Sequence, residues 1–138
     1  MPAGLRKLLA VFAGLGVALG ITFAVEALTS HLLFPLPSGT DPYDAESMKA
    51  AMAPLPRAAL LVVLLGWALS AVAGGWVAAR VGGRPRQPAR LVGVILLAVA
   101  IFRLSSFPHP TWFRVVGVLL FLPAAELGAR LAGAQAQP

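Results

Sequence analysis

The chain has 138 residues, 59% of them hydrophobic and 12% charged, with a mean hydropathy of +0.84, more apolar surface than a soluble domain of this length can hide in a core. Eleven Lys and Arg against five Asp and Glu give a net charge of +6, but the basic residues border apolar runs and form no aromatic-interleaved patch, which argues against nucleic acid as a partner. Cysteine is absent, which excludes disulfides and thiolate metal sites.

Four stretches are predicted to cross a bilayer, because a hydrocarbon core ~30 Å thick needs about 20 helical residues. They run over 8–33, 58–79, 91–107 and 112–131. The first follows Arg6 and Lys7 as a signal peptide would, but its uncharged part, 8–25, exceeds the usual h-region of roughly 7 to 15 residues, so it is expected to be retained. Gly16, Gly20 and Ala24 recur on it at four-residue spacing, ahead of a single acid, Glu26. The loop 34–57 then offers one short helix. Asp41 is expected as its N-cap, with Pro42 in the first helical position and Asp44 in the first turn, where unpaired N–H groups favour negative charge. Met48, Ala51, Met52 and Leu55 then share a face until Pro54 and Pro56 break the pattern, so the helix is expected to be amphipathic and to lie along the membrane surface.

The second span carries Gly66, Ser70, Gly74 and Ala78 as another small-residue stripe, with Trp67 near mid-depth and Trp76 near its end. Such stripes let helix backbones approach closely where no hydrophobic effect drives association. The following loop, RVGGRPRQPAR at 80–90, is short and basic; Arg80, Arg84, Arg86 and Arg90 are expected to touch anionic headgroups. The third span ends in FRLSSFPHP, with Arg103 four residues short of Phe107. The fourth begins at Trp112, an interfacial belt position, and passes Pro123, which frees the carbonyl of Leu119 and predicts a bend. It closes with Ala124, Gly128 and Ala132 as a third small-residue stripe, and with Glu126 placed to pair with Arg130 at i+4. A disordered tail is expected over 133–138.

The basic residues set an expected orientation. Arg6, Lys7, Arg80, Arg84, Arg86, Arg90 and Arg130 fall on one side, seven in all, against Lys49, Arg57, Arg103 and Arg114, four, on the other. Both termini are therefore expected in the cytoplasm, with the loop 34–57 outside.

Depth decides which charges need explaining, since an ionised group at the centre of a membrane helix costs roughly 2.5 to 3.5 kcal/mol on insertion scales. At about 1.5 Å per residue, Glu26 lies ~27 Å beyond Leu8, near the outer boundary, and Arg103 ~6 Å short of Phe107. The two are at similar depth: they either pair between the first and third spans or extend separately to the headgroups. The middle third of every span is uncharged, over 15–21, 63–69, 94–99 and 117–123, which counts against an ion-coupled pathway through one protomer.

Internal similarity is visible. The first and third spans both run into Phe-Pro-x-Pro, at 34–37 and 107–110, and the second and fourth end in AARVGG and GARLAG. The halves are then either a duplicated helical hairpin or chance likeness between apolar segments.

His31, Asp41, Asp44 and His109 are the candidates for a metal, because imidazoles with carboxylates could hold zinc if their loops converged. Their spacing matches no zinc, phosphate-loop or nucleophile-elbow pattern, so neither catalysis nor any cofactor is expected.

The segments FPLPSGTD (34–41) with MKAAM after it, GGWVAAR (74–80), PHPTW (108–112) and LPAAELGARLAG (122–133) resemble those of a family of small, uncharacterised bacterial membrane proteins. The resemblance implies a bacterial four-helix membrane protein and transfers no functional residue. Small multidrug-resistance transporters share four helices and a glutamate in the first, but theirs lies well within the membrane whereas Glu26 is expected at its edge.

The sequence therefore predicts an all-α membrane protein of four transmembrane helices in two hairpins, with a short amphipathic helix in the first outer loop, in a bacterial inner membrane. The expected function is a non-enzymatic helix-packing scaffold or accessory subunit, acting with a second copy or another membrane protein. The alternative is a small transporter or channel subunit whose pathway forms between protomers.

Overall fold

A computed structural model describes residues 2–35, 37–41, 43–83, 85–106 and 109–133; the expected tail beyond residue 133, Pro42, Arg84, and the Phe-Pro of the second Phe-Pro-x-Pro lie outside them. The regular structure is helical: α1 (Ala3–Leu28) continuing into a π-helical turn (Thr29–Leu33), α2 (Ala45–Met52), α3 (Arg57–Val81), α4 (Gln87–Ser106) and α5 (Thr111–Leu131). Four of these helices are long and apolar enough to cross a membrane, and the chain is a multi-pass membrane protein.

The helix boundaries show local chemistry at work. α1 starts at Ala3, one turn earlier than the span assigned from hydropathy, because Leu5, Arg6 and Lys7 are good helix formers and nothing breaks the pattern after Pro2. α4 likewise starts early, at Gln87, since Pro88 is tolerated in a first turn whose N–H groups have no partner. At the far end of α1 the ladder widens, with the Phe34 N–H donating to Thr29 O at 2.7 Å, five residues back. The loop helix starts three residues later than expected, which corrects the N-cap. Asp44 caps α2 by accepting from the Glu46 N–H at 3.3 Å, while Asp41 accepts from the Tyr43 N–H at 2.9 Å. Asp41 thus closes a local turn of its own, a conformation that competes with helix for this residue type.

Close contacts fix how the helices run. Gly14 of α1 meets Gly74 of α3, and Val25 meets Gly66, so these two helices are antiparallel. In α3 and α5, Trp67 meets Gly117 and Gly75 meets Ala125; both pairs are fifty residues apart, so the helices are parallel and in register. α4 lies antiparallel to α5, with Gly93 against Ala125 and Leu104 against Gly117. One end of the bundle gathers the Arg-rich helix ends, here called the basic end; the other holds α2 and is called the loop end.

α3 is the most buried of the four long helices and α1 the least. The reason is glycine. A Cβ on Gly14 would sit 2.6 Å from Gly74 O, and one on Gly74 would sit 2.8 Å from Gly14 O, so both glycines are required for that approach. A Cβ on Gly128 would collide with Val72 O, and one on Gly75 with Ala125 O. Between these contacts lies a core built on Trp67, which makes an edge contact with Phe113 at 5.4 Å and a tilted one with Phe121 at 5.6 Å, with Leu96, Leu104 and Ala71 around it. Trp67 therefore packs between helices and does not face lipid.

The outside is apolar all round. Phe12, Phe23, Leu65, Phe102 and Leu119 are each more than 60% exposed, a surface that would aggregate in water and is compatible with hydrocarbon. Thr22, Thr29, Ser30, Ser105 and Ser106 donate their hydroxyls to carbonyls four residues back in their own helices, so they need no partner in lipid. Among the described residues, no buried side-chain N or O lacks a hydrogen-bond partner.

Candidate functional site

α1 and α4 are close at the level of Gly14 and Val92; toward the loop end a cleft of about 270 Å³ opens beside them. α1 contributes Leu19, Thr22, Phe23 and Glu26; α4 contributes Leu96, Val99, Ala100 and Arg103; Trp67 and Phe121 line it from α3 and α5. The register is regular. Leu19 precedes Glu26 by seven residues and Leu96 precedes Arg103 by seven, so each helix places an apolar residue two turns below its charge.

Glu26 and Arg103 are brought together, the Arg103 guanidinium donating to the Glu26 carboxylate. Their side chains remain 26% and 38% exposed, so the pair forms an open mouth rather than a sealed contact. The Thr22 hydroxyl is committed to Ala18 O at 2.9 Å. The cleft thus offers one cation, one anion and an apolar lining. That set can recognise an amphiphile; it supplies no nucleophile adjacent to a base.

A second charged group lies at the basic end. Glu126 of α5 accepts from Arg90 Nε at 3.1 Å, in the first turn of α4, and from Arg86 Nη1 at 3.3 Å, in the residue just before that helix. Its expected i+4 partner, Arg130, is farther, at 4.0 Å. The helix pairing outcompetes the local one because α4 and α5 are antiparallel and bring two guanidiniums to the same carboxylate. Sequence reasoning missed this contact, although the signal was there: an acid and two arginines at the same end of adjacent spans. Arg6 Nε donates to Val81 O at 3.0 Å, placing a cation on the C-terminal carbonyls of α3, where the helix dipole favours it. Arg80 lies 5.3 Å over the ring of Trp76, and Arg57 5.9 Å over that of Trp112.

The metal candidates are placed differently. His31 is exposed on the π-helical turn, Asp41 and Asp44 hold backbone N–H groups of the loop, and His109 is half-buried, stacked on Phe113 at 4.8 Å. Among the described residues, no group of three or more His, Asp or Glu side chains gathers where it could hold a metal.

The small residues divide into two classes that look alike in sequence. Gly66, Ser70, Gly74 and Gly128 are buried between helices. Gly16 and Gly20 are exposed, and a Cβ at either would meet nothing within 4 Å. Compared with family models, with curated proteins and with solved structures, the chain matches none of them.

Proposed function

We propose that the chain is a non-enzymatic scaffold or accessory subunit of a bacterial inner membrane that acts by packing the exposed face of α1 against a second copy of itself. One observation carries this reading: Gly14, Gly66, Gly74, Gly75, Gly93, Gly117 and Gly128 all make close internal contacts, yet Gly16 and Gly20, midway along α1, face outward with nothing against them, as only Gly4 at the very start of that helix does among the other glycines of the four long helices. Glycine in a helix costs about 0.5 to 1 kcal/mol relative to alanine, so two outward glycines one turn apart, followed by exposed Ala24, call for another reason. A G-x-x-x-G face that lets two backbones approach supplies it, and its best attested mode is a symmetric pair of identical helices.

Within this reading both termini are cytoplasmic, α2 lies along the outer surface, and the two halves are hairpins related by a pseudo-two-fold axis. The in-register pairing of α3 with α5 supports that symmetry. Arg80, Arg84, Arg86 and Arg90 belong to the cytoplasmic loop, whose positive charge attracts anionic headgroups. The test is copy number in native nanodiscs. Wild-type protein is expected as a dimer, and Gly20→Ile, which overpacks the face, is expected to weaken the dimer by about 1 to 3 kcal/mol. Wild-type protein that is monomeric at every lipid dilution would contradict the reading.

The cleft favours a second reading, a small transporter or channel subunit, because Glu26 and Arg103 line a cavity that reaches Trp67. The uncharged middle of each span weighs against ion coupling in one protomer. Solute uptake into proteoliposomes that disappears in Gly20→Ile would favour a pathway formed between copies.

A further inference from the structure

We infer that the cleft beside α1 and α4 holds a zwitterionic phospholipid of the phosphatidylethanolamine class, with its phosphate on Arg103, its ammonium on Glu26 and part of one acyl chain along the apolar lining.

The cleft has the polarity profile of a lipid. Its charges sit at the loop end of two parallel helices, and Leu19 and Leu96 lie about 10 Å deeper, at 1.5 Å per residue over seven residues on each. Trp67 and Phe121 line the same cavity from the opposite side. A bound amphiphile would therefore keep the orientation it already has in the bilayer, with no inversion of headgroup and tail.

Charge complementarity selects the headgroup. Arg103 and Glu26 neutralise one another in the free protein. An anionic lipid on Arg103 adds a second negative charge beside Glu26 and brings no cation of its own, so two anions then share one guanidinium. A headgroup carrying both a phosphate and a primary ammonium exchanges one ion pair for two, and the ammonium brings N–H donors for the carboxylate. Each charge is partly exposed at the mouth, so the exchange does not require the helices to part. This inference is independent of the assembly proposed for α1.

The test uses the full chain with Trp76→Phe and Trp112→Phe, leaving Trp67 as the reporter inside the cleft. It is placed in phosphatidylglycerol vesicles containing a minor fraction of phosphatidylethanolamine brominated on its acyl chains, and in the reverse mixture. Trp67 quenching is expected to give brominated phosphatidylethanolamine a relative binding constant about tenfold above that of brominated phosphatidylglycerol, the scale of one charge-assisted hydrogen bond. Glu26→Gln, which keeps Arg103, is expected to abolish the preference while quenching persists. Val99→Phe, at a partly exposed position of the lining, is expected to remove quenching by both lipids. Gly20→Ile is expected to change neither constant. Equal constants in the wild-type background, a preference untouched by Glu26→Gln, or no quenching by either lipid would each overturn the inference, the last by showing the cleft closed to acyl chains.

Discussion

Replacing Gly128 with alanine is expected to destabilise the bundle by about 3 kcal/mol, the upper range for overpacking a close-packed interior. The new methyl group would run into the carbonyl of Val72 on α3, with the Trp76 backbone N 2.8 Å away. Neither is the end of a flexible side chain. Relief therefore requires α5 to move off α3, which also disturbs the contact of Gly75 with Ala125 and loosens the packing of Phe121 on Trp67. The matched control is Gly16→Ala on the same kind of stripe. Nothing lies within 4 Å of that Cβ, so the protomer is expected to gain up to ~1 kcal/mol from helix propensity. Unfolding of monomeric protein in mixed micelles by increasing dodecyl sulfate reads both. Equal losses at the two positions would show that the helices are not packed as described.

The second large effect is expected at the mouth of the cleft. Arg103→Met or Glu26→Gln alone is expected to cost stability, because each leaves the opposite partner without its counter-charge at an apolar cleft. The double variant should cost much less than the sum. The coupling energy is expected at about 1 to 2 kcal/mol, above a solvent-exposed pair and below a fully buried one, given the partial exposure of both side chains. A double-mutant cycle on the same unfolding signal measures it. Additive losses would mean that the two side chains extend separately to headgroups.

Much of the architecture was legible in the sequence because lipid imposes a length and polarity rule on each segment independently of the others. Four apolar runs gave four long helices, and an acid and an arginine at matched depth on the first and third runs stand together in the structure. The remainder depends on contacts between helices, which no single segment encodes. Gly16 and Gly74 have the same spacing signature, yet one faces outward and the other abuts a backbone carbonyl. The hub at Glu126 was read as an i+4 pair because helical spacing is local information, whereas Arg86 and Arg90 arrive from another helix. Asp41 and Asp44 are both competent caps three residues apart, and the turn that Asp41 closes with Tyr43 decided between them.

That the outward face of α1 receives a second copy is best tested by cysteine crosslinking, since the chain has no cysteine of its own. Ala24→Cys continues the Gly16 and Gly20 face, and Leu119→Cys, on α5, is a comparably lipid-accessible control, Leu119 being 66% exposed. Disulfides form only where Cα atoms come within about 7 Å. On mild oxidation in native membranes, Ala24→Cys is predicted to give a covalent dimer that Gly20→Ile abolishes, while Leu119→Cys stays monomeric. Monomeric Ala24→Cys, or equal dimer yields at the two positions, would contradict the account.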